Sequence, residues 1–273
     1  SRPVDGSVAG SATIIHHPDV RRMLMTMRAY TEGCRAMAIV AAAAFDEAHR
    51  HPDADARKQN QAFYEFLVPL VKGYSTEMSI EVASLGVQVH GGMGFIEETG
   101  AAQYLRDARI LTIYEGTTAI QANDLVGRKT ARDGGGVARG IARQIAATET
   151  VLEGRPGDAS GSMLKRLRSA REAFEQVVDF IVAEGKANPN AAFAGSVPYL
   201  MLAGNLVAGW QMARSLVAAE DALGAGTGDR AFLEAKIATA RFYAEHLLVK
   251  ASSQRDAIVE GADSVTAMAL ESF

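Results

Sequence analysis

Hydrophobic positions recur at helical spacing over most of this chain. Val20, Met23, Leu24, Met27, Cys34, Met37, Ala38 and Ala41 fall near one face of a 3.6-residue period, predicting a helix over about residues 18–49. Pro18 suits a first helical turn, and Asp19 is favourable beside the positive helix end. His51-Pro52-Asp53 closes that helix, because proline cannot continue the hydrogen-bond ladder. A second stretch, with Phe63, Phe66, Leu67, Leu70, Tyr74, Met78, Val82 and Leu85 on one face, predicts a helix over about 56–89. Pro69 lies inside it, where a missing N–H and a ring clash cost about 3 kcal/mol in an isolated helix, so a kink or a lost hydrogen bond is expected there.

Beyond a glycine-rich break at His90–Phe95, shorter helices are expected at about 100–109 and 117–132, joined by an extended turn through Ile113–Gly116. Asp133-Gly134-Gly135-Gly136 is the clearest boundary signal. After it the pattern predicts helices at about 137–153, 162–186, 196–223 and 229–256. Residues 1–15 lack a sustained period and read as an irregular entry segment. The economical architecture is all-α: an antiparallel four-helix-bundle-type domain over 1–133, then a second helical bundle as an extension over 134–273.

Composition narrows the function classes. A net charge of -4 gives no footprint for nucleic acid, and the basic residues sit among acids as a solvated helix face would have them. One cysteine, Cys34, excludes an internal disulfide framework and fits a reducing, cytoplasmic setting. No apolar run reaches the roughly 20 residues needed to span a bilayer. The start, Ser1-Arg2-Pro3, carries no initiator Met and no signal pattern, so a processed or excised piece of a longer protein is the expectation.

Two clusters carry candidate chemistry. Gln88-Val89-His90-Gly91-Gly92-Met93-Gly94-Phe95 places clustered glycines after a helix, where backbone can approach a ligand closely, although an ordinary helix-ending turn has the same look. Glu115-Gly116-Thr117 places a carboxylate just ahead of a helix start, where a structural cap is the plain explanation. No metal site is expected. A di-metal bundle needs Glu-x-x-His pairs on two helices, and only Asp46-x-x-His49 and the wrongly spaced Glu245-His246 come near it.

Together, and in this order, the clusters resemble the carboxy-terminal domain of the acyl-CoA dehydrogenase family. That family carries Gln-x-x-Gly-Gly-x-Gly-aromatic, then Arg-Asp, then Ile-Tyr-Glu-Gly-Thr with Gln four residues after the Thr. Here these are Gln88, Gly91, Gly92, Gly94 and Phe95, then Arg106 and Asp107, then Ile113–Thr117, and Gln121. The resemblance covers about residues 15–130. The tail is similar to that of longer bacterial members, including the branch that oxidises 3-(methylthio)propanoyl-CoA.

The resemblance implies an FAD-dependent oxidoreductase of fatty acid metabolism that forms the α,β-double bond of an acyl-CoA thioester. Glu115 would abstract the α-proton, with the β-hydride going to flavin N5. Gly116 would lie at the thioester, while Thr117, Ala119 and Gln121 would meet FAD. Gln88, Gly91 and Gly92 would reach the FAD of a neighbouring subunit, implying a homo-oligomer, dimer or tetramer. An electron-transfer flavoprotein would take the electrons. The family's upstream domains are absent from this sequence, so this chain alone is expected to be inactive. The rival expectation is a non-catalytic helical assembly domain, which suits 134–273 best.

Overall fold

The computed structural model describes residues 3–6 and 9–273, and among them there is no strand. The expected irregular entry over 1–15 lies partly outside these residues; what is described of it holds one short 3-10 turn, Ile14–His16. Helix α1 (Pro18–Arg50) starts on the predicted proline and buries Met23, Tyr30, Met37 and Ala41. It pairs with α2 (Ala54–Pro69), whose start is capped by Asp53 accepting from the Asp55 amide.

The expected kink at Pro69 takes a specific form. The Leu70 amide reaches only three residues back, to Leu67, and the Ser75 amide then reaches five back, to Leu70. Leu70–Tyr74 is therefore a π turn inserted between α2 and α3 (Ser75–His90). Such turns absorb one extra residue and rotate the side chains beyond them.

The glycine break holds a single helical turn, α4 (Gly92–Phe95), and a 3-10 turn over Glu97–Thr99. Helix α5 (Ala101–Ile110) returns along α3, and α6 (Thr118–Val126) continues into a second π turn, Gly127–Ala131, where a longer helix was expected.

Past the glycines come α7 (Gly136–Glu153), α8 (Asp158–Ala187), the short α9 (Pro189–Ala194), which periodicity did not reveal, and α10 (Ser196–Gly224). The helix expected over 229–256 is broken. It divides into α11 (Arg230–Phe242), a third π turn at Tyr243–Leu247, a 3-10 turn, and α12 (Ala251–Val259). A last turn, α13 (Ala262–Val265), follows.

Helix α10 is the centre of the molecule. It packs on α1, α6 and the first π turn on one side and on α8, α11 and α12 on the other, so one continuous core runs through both halves. Close approach is allowed by Gly204, where an added Cβ would lie 2.2 Å from the Tyr74 ring. Each π turn delivers a hydroxyl to this core. Tyr74 and Tyr243 pair at 3.2 Å, Tyr243 also donates to the Asn205 carbonyl at 3.2 Å, and Thr130 pairs with Tyr199 at 2.9 Å. Burial pushes all three phenols above their ordinary pKa, so they remain protonated donors at neutral pH.

Candidate functional site

The turn after α5 is built with little backbone support. The Ile113 and Tyr114 amides both reach back to Ile110, and the Thr118 amide reaches Thr112. Among the described residues, no backbone donor meets the carbonyls of Ile113, Tyr114, Glu115 or Gly116. Side chains do the fastening instead. Arg109 donates to Thr112 Oγ1 at 2.7 Å, and Thr118 Oγ1 donates to Glu77 Oε1 on α3 at 2.5 Å.

Glu115 sits on this turn, exposed, with no hydrogen-bond or ion-pair partner among the described residues. It does not cap α6. That role belongs to Thr117, whose hydroxyl accepts from the Ile120 amide at 3.4 Å. Gly116 follows with φ +79°, a conformation that side-chain-bearing residues avoid. An added Cβ there would meet Gln121 Nε2 at 2.8 Å and Lys72 Nζ at 2.9 Å. Gln121 is buried beneath the turn, whereas Ala119 is exposed on the first turn of α6.

The second cluster lies at the other end of α3. Gly91 has φ +62° and ψ −145°, its amide reaching the Gln88 carbonyl at 3.0 Å. Added Cβ atoms at Gly91 and Gly92 would meet nothing within 4 Å, so the backbone is open to close approach. Gln88 is exposed beside it. His90 turns away, its Nδ1 bonded to the Gly86 carbonyl at 2.7 Å.

The structure thus gathers Glu115, Gly116, Thr117, Ala119 and Gln121 at one place and Gln88, Gly91 and Gly92 at another. Gly91 lies fourteen residue steps beyond Glu77, about 21 Å along α3 at 1.5 Å per residue. Glu77, which accepts from Thr118 beside the turn, and Lys72, whose ammonium lies near Gly116, were missed by sequence reasoning. The available signal was Pro69, three residues ahead of Lys72.

Between α1, α3 and α5 runs an apolar cavity of about 910 Å³, lined by Met27, Tyr30, Cys34, Met78, Val82 and Tyr104 among others. Glu115 does not line it. Burial pushes the Cys34 thiol up to about 11, which suits a packing residue rather than a nucleophile. Exposed apolar side chains, Met93, Phe95, Tyr104, Ile113, Tyr114 and Ile120, follow the path from the glycine turn to α6. Among the described residues no cluster of His, Cys, Asp or Glu could hold a metal ion, and no helix is long and apolar enough to cross a membrane.

Fold and site together define a helical-bundle protein that presents an unpartnered carboxylate and an open glycine turn at opposite ends of one helix. Two family models account for most of its length. One, described as acyl-CoA dehydrogenase, C-terminal domain, matches residues 6–129, and the other, acetyl-CoA dehydrogenase C-terminal like, matches 141–269. The chain belongs to the acyl-CoA dehydrogenase family.

It is 56% identical over 270 residues to a 3-methylmercaptopropionyl-CoA dehydrogenase of Ruegeria pomeroyi, an alignment covering 99% of this chain and 45% of that protein. It is 37% identical over 261 residues to a broad-specificity linear acyl-CoA dehydrogenase of Mycobacterium tuberculosis, covering 92% and 42%. The chain thus spans under half the length of these curated relatives. A crystal structure of a Bacillus anthracis acyl-CoA dehydrogenase complexed with FAD shares the fold, with TM-score 0.65 at 18% identity, over 91% of this chain and 45% of that one.

Proposed function

We propose that this chain is the helical part of an FAD-dependent acyl-CoA dehydrogenase in which Glu115 removes the α-proton of the thioester. The observation that carries the reading is the state of Glu115. A carboxylate kept on a ladder-free turn, with the helix-capping duty assigned to Thr117, has nothing structural to do and is free to act as a base. Gly116, with its positive φ, lets the chain turn sharply beside that carboxylate.

The residues present fit the flavin. The open backbone at Gly91 and Gly92 suits close contact with a cofactor, and exposed Gln88 adds an amide beside it. When bound, FAD supplies the acceptor for the β-hydride. Thr117, Ala119 and Gln121 would flank it on the Glu115 side. The roughly 21 Å between the clusters supports assigning the glycine turn to the flavin of a neighbouring subunit in a homo-oligomer. The exposed apolar path from Met93 to Ile120 supports a face covered in the assembled protein.

The name of the 56%-identical relative makes 3-methylmercaptopropionyl-CoA the first substrate to test, and electron-transfer flavoprotein the acceptor to test with it. The division at 133/134 follows the same reading. Chemistry sits in 1–133, while 134–273 supplies the core against which the turn is braced.

The experiment is Glu115→Gln in the full-length, FAD-loaded protein. Flavin bleaching by 3-methylmercaptopropionyl-CoA should slow by about 100- to 10,000-fold while FAD stays bound. Bleaching at the parental rate would refute the assignment.

A further inference from the structure

Glu77 stands out among the side chains that the reaction scheme leaves unused. It lies half-buried on the first turn of α3, and its carboxylate accepts from Thr118 Oγ1 at 2.5 Å, across 41 residues of sequence. Glu65 on α2 and Glu81 on α3 each face a lysine, Lys129 and Lys250. Glu77 faces none, and Thr118 is its one side-chain partner among the described residues. The carboxylate thus meets the first residue of α6, where free helix amides favour a negative charge. Its place depends on the π turn Leu70–Tyr74, three residues earlier. The extra residue absorbed there turns the following face of α3 by about 100°, which decides which side chain meets α6.

Thr118 closes the turn that carries Glu115. Its amide donates to the Thr112 carbonyl at 3.2 Å and its hydroxyl to Glu77, so both of its donors act at one point. The other end is held at buried Thr112, whose hydroxyl accepts from Arg109 at 2.7 Å. Between these points the carbonyls of Ile113 to Gly116 meet no backbone donor among the described residues. The position of Glu115 is therefore set from the two ends. Among the described residues, Thr118–Glu77 is the one side-chain hydrogen bond that ties the turn to an element other than α5 and α6.

We propose that Glu77 is a positioning residue: through Thr118 it fixes the closing end of the turn, and so sets where the Glu115 carboxylate stands against the substrate. This rests on the reading of Glu115 as the base. Glu77 acts through the turn, and its removal therefore slows the chemical step more than it weakens binding.

The test uses the full-length, FAD-loaded protein and single-turnover flavin bleaching by 3-methylmercaptopropionyl-CoA at several substrate concentrations. Thr118→Val keeps the shape and removes the hydroxyl, while Glu77→Ala removes the acceptor. In each the limiting bleaching rate should fall by about 10- to 100-fold, the cost of a base displaced by about an ångström. Substrate affinity should stay within about twofold, and FAD content should match the parent. Thr118→Ser restores the donor and should return most of the rate. The double variant, Glu77→Ala with Thr118→Val, should be no more than about threefold slower than the slower single one, because both changes remove the same bond.

A parental limiting rate in Thr118→Val or in Glu77→Ala would overturn the proposal. So would single losses that multiply in the double variant, or rates that fall only in step with FAD content and melting temperature with no recovery in Thr118→Ser. Glu115→Gln measured alongside separates the two claims. If it bleaches normally, the base assignment fails. If it is silent while Thr118→Val and Glu77→Ala bleach normally, only the role of Glu77 fails.

Discussion

Helix α10 and the segment from Gly91 to Thr117 obey opposite rules. Along α10 nearly every side chain from Tyr199 to Ala213 is buried, charges are absent, and glycines let neighbouring elements come into contact. Along the other segment, Phe95 is 82% and Tyr104 76% exposed, Gly91, Gly92 and Gly100 face open space, and the backbone after α5 has no ladder. An apolar surface that stays uncovered in one region, beside a core sealed in the other, indicates where the chain spends its stability and where it offers chemistry. The two meet at the first π turn, where a Cβ added at Gly73 would meet Leu200 of α10 and one added at Gly116 would meet the Lys72 ammonium.

The largest way to break this comparison is Gly204→Ala. The new methyl would sit 2.2 Å from Tyr74 Cγ, with both residues buried, so a packed ring or the helix must move. A loss of about 3 kcal/mol is expected, at the upper end for overpacking, read from urea unfolding of this chain. The matched change on the open side, Gly92→Ala, meets nothing within 4 Å and should move stability by less than about 0.5 kcal/mol. Equal effects at the two glycines would mean that α10 is not tightly seated on the π turn.

The hydroxyl pair beneath that contact is next. Tyr243→Phe removes the partner of Tyr74 and the donor to the Asn205 carbonyl, leaving Tyr74 Oη buried without a hydrogen bond. It should cost about 2 kcal/mol, the penalty for an unsatisfied buried group. Tyr74→Phe leaves Tyr243 still donating to Asn205, and about 1 kcal/mol is expected. A reversed order in thermal denaturation would show that the pair is held from the Tyr74 side.

These regions were not equally legible in the sequence. Helix α1 was foreseen within a residue because a proline opens it, another closes it and one face is apolar throughout. Helix α10 was found by its apolar length, although burial on all sides leaves no stripe to say what packs where. The three π turns could not be foreseen in detail. Pro69 announced a disturbance but not its form, while Gly127–Ala131 and Tyr243–Leu247 answer to tertiary contacts of Thr130 and Tyr243. At the site, the place of Glu115 ahead of a helix start made a structural cap its plain explanation, and the structure assigns the cap to Thr117. The family motif supplied the residues by resemblance. Glu77, which fastens the turn through Thr118, lies some 40 residues upstream and carries no local signal.

The smallest expected effect gives the sharpest test of the open side. Tyr104 stands on α5 with most of its ring in solvent, beside a cavity that the isolated chain leaves apolar. Tyr104→Ser removes little packing, so the unfolding free energy of this chain should change by less than about 0.5 kcal/mol. If the exposed path is a face covered in the full-length protein, the same change should weaken the oligomer there, seen as a shift to smaller species on dilution in sedimentation velocity. A destabilised isolated chain would mean that Tyr104 already belongs to the sealed core. A full-length oligomer indifferent to the change would mean that the uncovered apolar path serves something other than assembly, and the contrast between the two regions would then need a different cause.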